Sequence, residues 1–146
     1  MKNKAIFILG LIIITILAAF LLLKKPLILV NNREDLAAQL IPLSQHFFDN
    51  LAKGSYQEAT SNFTDQMKQE MPPEELESLH NQINDRVGPL VSLGNPQISK
   101  EGNSWILEYQ AAFTKEETVL IRLIFTQENA NYKIAGLWLD SPKLRN

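Results

Sequence analysis

Two histidines, His46 and His80, are the side chains of this sequence that titrate near neutral pH. Beside them stand three tyrosines, Tyr56, Tyr109 and Tyr132, and 16 Asp plus Glu. An imidazole in apolar surroundings with a carboxylate neighbour can serve as a general base. His80 falls on one apolar helix face with Leu76, Leu79, Ile83 and Val87, which makes it the candidate. The same placement fits a core histidine bonded to a backbone carbonyl or a tyrosine hydroxyl, with no substrate involved. His46 lies on the flank of another helical stripe and is expected at the surface. No Asp falls on an inward strand position, so no carboxylate acid or base is evident and no catalytic residue is assigned. With no Cys in the chain, thiolate nucleophiles, disulfides, redox pairs and zinc–thiolate sites are excluded. There is no P-loop, nucleophile elbow, His-Glu-x-x-His or EF-hand spacing, and no metal or cofactor is expected. Glu74, Glu75 and Glu77 crowd a helix start, where carboxylates complement the helix dipole; they do not require a cation.

The elements that would position these residues follow from periodicity and punctuation. Leu36, Leu40, Leu43, Phe47 and Leu51 make one helical stripe after a candidate N-cap at Asn32. Pro42 inside it lacks an N–H and should kink or restart the helix. Lys53-Gly54 ends it. Ser55 to Glu58 reads as a capping box opening a short helix with Tyr56, Ala59 and Phe63. Thr64 caps a further turn or two with Met67 and Met71. Pro72-Pro73 then breaks the chain and starts the helix that carries His80, which Gly88-Pro89 closes.

After Gly88 the pattern alternates. Leu90–Ser99 is a weak strand region interrupted by Gly94-Asn95-Pro96. Three clear strands follow, separated by turns at Glu101-Gly102-Asn103, Thr114–Glu117 and Glu128–Asn131. Helices followed by an antiparallel meander predict an α+β fold with helices on one face of the sheet. The sets beginning at Trp105, Val119 and Tyr132 are the more apolar, so they are expected to point inward. Tyr56, Phe63, Met67, His80, Trp105, Tyr109, Tyr132 and Trp138 are then candidates to line a pocket for a small apolar ligand, or to fill the core. The other sheet face keeps Ile106, Glu108, Leu120, Arg122, Ile124 and Leu137, with Lys133. That is more apolar surface than a solvated sheet face carries, and it is the candidate interface for a homodimer or a larger protein assembly.

Ala5–Leu23 is a run of 19 residues without charge, flanked by Lys2 and Lys4 and by Lys24 and Lys25. As a helix it would span about 28 Å, close to a bilayer core of about 30 Å. It reads as a single-pass anchor with a cytoplasmic N-terminus and the remainder outside the cytoplasm, in a bacterium the inner membrane. The alternative is a cleaved signal peptide and a secreted product, although Phe20–Leu23 continues the apolar run past Ala18 and Ala19. Residues 1–25 are thus the anchor, 26–34 a linker, 35–142 the folded domain and 143–146 a tail. All 16 acidic residues but only ten of the 14 basic ones lie after Val30, a net of −6. That balance argues against nucleic acid and against anionic lipid as partners of the domain.

The stretch Phe47-Phe48-Asp49-Asn50-Leu51-Ala52-Lys53-Gly54-Ser55-Tyr56-Gln57-Glu58-Ala59 carries a family resemblance. Phe63, Met67-Lys68, Pro72-Pro73-Glu74-Glu75-Leu76 and Ile134-Ala135-Gly136-Leu137-Trp138 continue it. Together they resemble the nuclear-transport-factor-2-like (ketosteroid-isomerase-like) superfamily, in a small bacterial extracytoplasmic branch of unknown function. The branch is similar to modules sometimes found beside hydrolase domains. The resemblance implies a cone-shaped roll, about three helices on a curved antiparallel sheet of three to four strands. It implies either a ligand in the cone or dimerisation through the sheet. The expected function is a membrane-tethered, non-enzymatic binding or assembly module. The alternatives are a secretion-apparatus subunit, since inner-membrane subunits of type IV secretion systems resemble this plan, and a small enzyme using His80.

Overall fold

Thr64 and Pro72 start two of the helices by different means. The Thr64 hydroxyl accepts the Met67 N–H at 3.1 Å, satisfying a donor that the helix itself leaves unpaired. Pro72 supplies an extended N-cap, and Pro73 sits at the first position, where its missing N–H costs nothing. In the computed structural model, which describes residues 32–145, four helices precede the sheet. They are α1 (Asn32–Ala52), α2 (Tyr56–Ala59), α3 (Asp65–Glu70) and α4 (Pro73–Val87). Of the kink or restart expected at Pro42, the restart does not occur: α1 runs through that residue as one helix. The capping box needs correction, because it does not form: Ser55 occupies the N-cap position, but its side chain accepts no bond there. Gly54 (φ +68°) and Gly88 (φ +84°) end α1 and α4 in the left-handed region that favours glycine.

Five strands follow: β1 (Leu90–Leu93), β2 (Gln97–Glu101), β3 (Ser104–Phe113), β4 (Glu116–Glu128) and β5 (Asn131–Asp140). The sheet is antiparallel, in the order β1-β3-β4-β5, and β2 shares the outer edge of β3 with β1. The weak strand region is therefore real but split in two, as Gly94-Asn95-Pro96 predicts. The β4–β5 hairpin turns on Asn129 and Ala130, both at positive φ (50° and 67°), the geometry of a tight primed turn.

Helices and sheet enclose one apolar core. Leu40, Phe47, Phe63, Leu76 and Val87 from the helical side meet Leu107, Val119, Leu123, Phe125 and Ile134 from the strands. Alternation places the inward residues as expected along β3 and β4. On β5 it fails part-way. Ile124 pairs with Gly136, but Phe125 pairs with Ile134, so Ala135 is an extra residue, a β-bulge. One added residue reverses the faces beyond it. Leu137 and Leu139 point inward beside Leu123 and Ile121, and Trp138 lies outside opposite Arg122. The inward placement of Trp138 and the outward placement of Leu137 are both overturned by this bulge.

Among the described residues no helix is long and apolar enough to cross a membrane. The run Ala5–Leu23, on which the anchor rests, lies outside the described residues.

Candidate functional site

Among the described residues the space between helices and sheet is small. A cavity of about 40 Å³ is lined by Phe47, Phe48, Leu51, Leu76, Leu79, Ile83, Leu90, Phe113, Ile121, Leu137 and Leu139, with His80 the one polar side chain. A water needs roughly 10–15 Å³ of such space, and an engineered cavity that holds benzene has about 150 Å³. The space suits a packing gap and not a ring-sized ligand.

His80 is held on both sides. Tyr56 Oη lies 3.1 Å from Nδ1, and Asn84 Nδ2 lies 3.2 Å from Nε2. The Asn84 amide N–H can only donate, so Nε2 accepts; Nδ1–H then donates to the Tyr56 oxygen. Both ring nitrogens are thus engaged in a neutral imidazole. Burial lowers the His80 pKa from its ordinary 6.5, because the charged form loses hydration. Asn84 Oδ1 is buried and has no hydrogen-bond partner among the described residues. Asn84 went unnoticed in the sequence, although it stands four residues after His80, where helical side chains meet.

The eight pocket candidates do not converge. Phe63 and Met67 are buried in the core. Tyr109 is buried too. Its hydroxyl bonds Ser44 Oγ, which donates to the Ile41 carbonyl at 2.8 Å. Burial raises the Tyr109 pKa, and the Ser44 bond partly offsets this. Trp105 and Tyr132 are half-buried at the core's margin, with the Lys100 ammonium 5.3 Å from the Trp105 ring centre. Tyr56 reaches the cavity only through His80. His46, expected at the surface, is half-buried, its Nδ1 3.4 Å from Asn62 Nδ2.

The outer sheet face has a more organised surface. Glu108 and Arg122 are cross-strand partners, with Arg122 Nε 2.5 Å from Glu108 Oε2. The same guanidinium lies 4.9 Å from the Trp138 ring centre. The indole is therefore backed by a cation that is itself tied to a carboxylate, while Trp138 remains 44 % exposed. Ion pairs this exposed contribute about 0.2–1 kcal/mol and exposed cation–π contacts about 0.5–1 kcal/mol; their role is to orient the ring. Ile106 and Ile124 pair beside this cluster, and Leu120 flanks it across from Gln110. Ile106 is only 7 % exposed although it faces outward, so its neighbours already cover it. Leu120 and Ile124 are half-buried.

No group of three or more His, Asp or Glu able to hold a metal ion occurs among the described residues. A family model described as "Protein of unknown function (DUF3887)" matches residues 44–137. No curated protein matches the chain. Among solved structures, Aln2 from a Streptomyces species is similar over 76 % of this chain and 94 % of that one, at 7 % sequence identity and a TM-score of 0.48.

Proposed function

We propose, from the premise that this chain belongs to the DUF3887 family, that it is a non-enzymatic binding or assembly module of nuclear-transport-factor-2-like build. Residues 5–23 tether it to a membrane, the folded domain lies outside the cytoplasm, and the outer sheet face meets a protein partner. The observation that supports this reading is the contrast between the two faces of one sheet. The inner face closes on a core with about 40 Å³ to spare. The outer face holds Trp138 exposed over the Arg122–Glu108 pair, amid Leu120 and Ile124. Trp and Arg are the side chains that most often anchor protein interfaces.

A photo-crosslinking residue in the full-length chain tests the surface. At Leu120 it should give protein adducts in cells, and at Glu75, exposed on α4, it should give none. Adducts from Glu75 and none from Leu120 overturn the reading. The tether is tested by the mass of the mature chain in the membrane fraction, which should retain its first residues; a lipid-free chain cut near residue 25 overturns it.

A further inference from the structure

The free edge of β5 is covered at one point only. Ile134 N–H donates to the Asn62 carbonyl at 2.8 Å, and Thr64 N–H donates to the Ile134 carbonyl at 2.9 Å. The bridge is a single pair, Phe63 with Ile134, because the chain before Asn62 is in a turn that Phe63 N–H closes on the Thr60 carbonyl. Strand alternation turns the Tyr132 N–H and C=O to the same edge, one step past the bridge. A cleft of about 320 Å³ opens there between α1 and β5, bounded by Gln39, Leu43, Asn62, Asn131, Tyr132 and Lys133. Pockets that hold small molecules run from about 300 to 1,000 Å³.

Three of these side chains are amides whose nitrogens are already committed. Gln39 Nε2 donates to the Asp35 carbonyl at 3.3 Å, and Asn131 Nδ2 donates to the Asn129 carbonyl at 3.3 Å. Asn62 Nδ2 lies 3.4 Å from His46 Nδ1, to which it can only donate. Each amide is thereby oriented, and its oxygen makes no hydrogen bond among the described residues. Among the described residues the Lys133 ammonium is the one charge on the cleft wall, and no carboxylate lines it.

We propose that this cleft binds a saccharide. Oxygen ligands alone would suit a hard cation, but the Lys133 ammonium opposes one and no carboxylate offsets it. An anion would meet one ammonium against three amide oxygens. The wall therefore selects a neutral ligand whose polar groups both donate and accept. Sugar hydroxyls do both: they donate to the oxygens of Gln39, Asn62 and Asn131, and accept from the Lys133 ammonium and the Tyr132 N–H. The Tyr132 ring and Leu43 supply the apolar surface for the C–H side of a sugar ring. A cleft of equal size beside Tyr56 lacks this balance, because Glu58, Glu74 and Glu77 line it. The β5 cleft uses none of the outer-face residues, so this inference and the protein contact proposed above stand or fall separately.

Saturation-transfer NMR on the full-length chain in lipid nanodiscs tests the site, with the trisaccharide of N-acetylglucosamine and maltotriose as probes. At least one should give a difference signal from its ring protons. Tyr132→Ala should lower that signal at least fivefold. Tyr132 packs at the core's margin, so Gln39→Ala, at an exposed position of α1, provides a variant that leaves the core intact; it should lower the signal at least twofold. Glu75→Ala, exposed on α4, should leave it unchanged. A signal from the N-acetylglucosamine trimer alone assigns the cleft to amino-sugar glycans, and one from maltotriose alone to glucans; either supports the inference. No signal from either sugar, or a signal that Gln39→Ala leaves unchanged, overturns it.

Discussion

His80 is a half-buried base with its hydrogen-bonding capacity already spent on Tyr56 and Asn84. Its pKa is lowered in the folded chain, so the unfolded chain takes up the proton first. The resulting stability is complete above the unfolded value of about 6.5 and is lost as pH falls below it and through the folded value. Urea midpoints should therefore drop as pH is lowered from neutrality, and His80→Gln should flatten that dependence. An unchanged slope would mean that His80 is not the group responsible. Phe125 and Trp138 make a second residue-scale contrast. Phe125 is fully buried in the core, and Phe125→Ala should cost about 3–5 kcal/mol. Trp138→Ala removes a larger side chain from the outer face and should cost under about 1 kcal/mol in the monomer. Comparable losses in denaturant titrations would contradict the outward placement of the indole.

Two backbone positions show what the elements demand of the chain. Gly88 joins α4 to β1 at φ +84°, and a Cβ there would run into Thr114 Oγ1. Gly88→Ala should destabilise by more than about 1 kcal/mol, through both the left-handed backbone and the clash. Ala130 presents the opposite case. It holds φ +67° in the β4–β5 turn, a region costly for a residue with a Cβ. Ala130→Gly should stabilise the fold by about 0.5–1 kcal/mol, read as a higher urea midpoint. The third element-scale feature is the bulge. Deleting Ala135 removes the extra residue and leaves Gly136, Leu137 and Trp138 opposite the same β4 partners in a regular ladder, so the indole should stay exposed in fluorescence quenching; an indole that becomes shielded would contradict this register.

At the scale of the whole molecule the charge is uneven: residues 32–88, which form the helices, carry a net of −6, and residues 89–145, which form the sheet, a net of zero. Like charges within one layer repel, and salt screens them over about 10 Å at 0.1 M. The urea midpoint should therefore rise between about 0.01 M and 0.1 M salt; a midpoint that does not move would show that the acidic residues of the helices do not repel one another measurably.

Much of this fold was legible as local chemistry. Thr64, Pro72-Pro73, Gly54 and Gly88 punctuate the helices where their backbone preferences require, and the change from helical to alternating period marks the start of the sheet. Such signals act within a few residues and need no partner. The sequence also carries the strongly apolar run Ala5–Leu23 and the acidic balance after it. The tertiary structure decided the rest. Whether Ala135 is part of a regular ladder or a bulge depends on how β4 pairs with β5, and that pairing alone sent Trp138 out and Leu137 in. Whether His80 faces a pocket or a filled core depends on how α1, α4 and the sheet close on one another. Pairing and closure are set by residues far apart in the chain, so no window of sequence contains them.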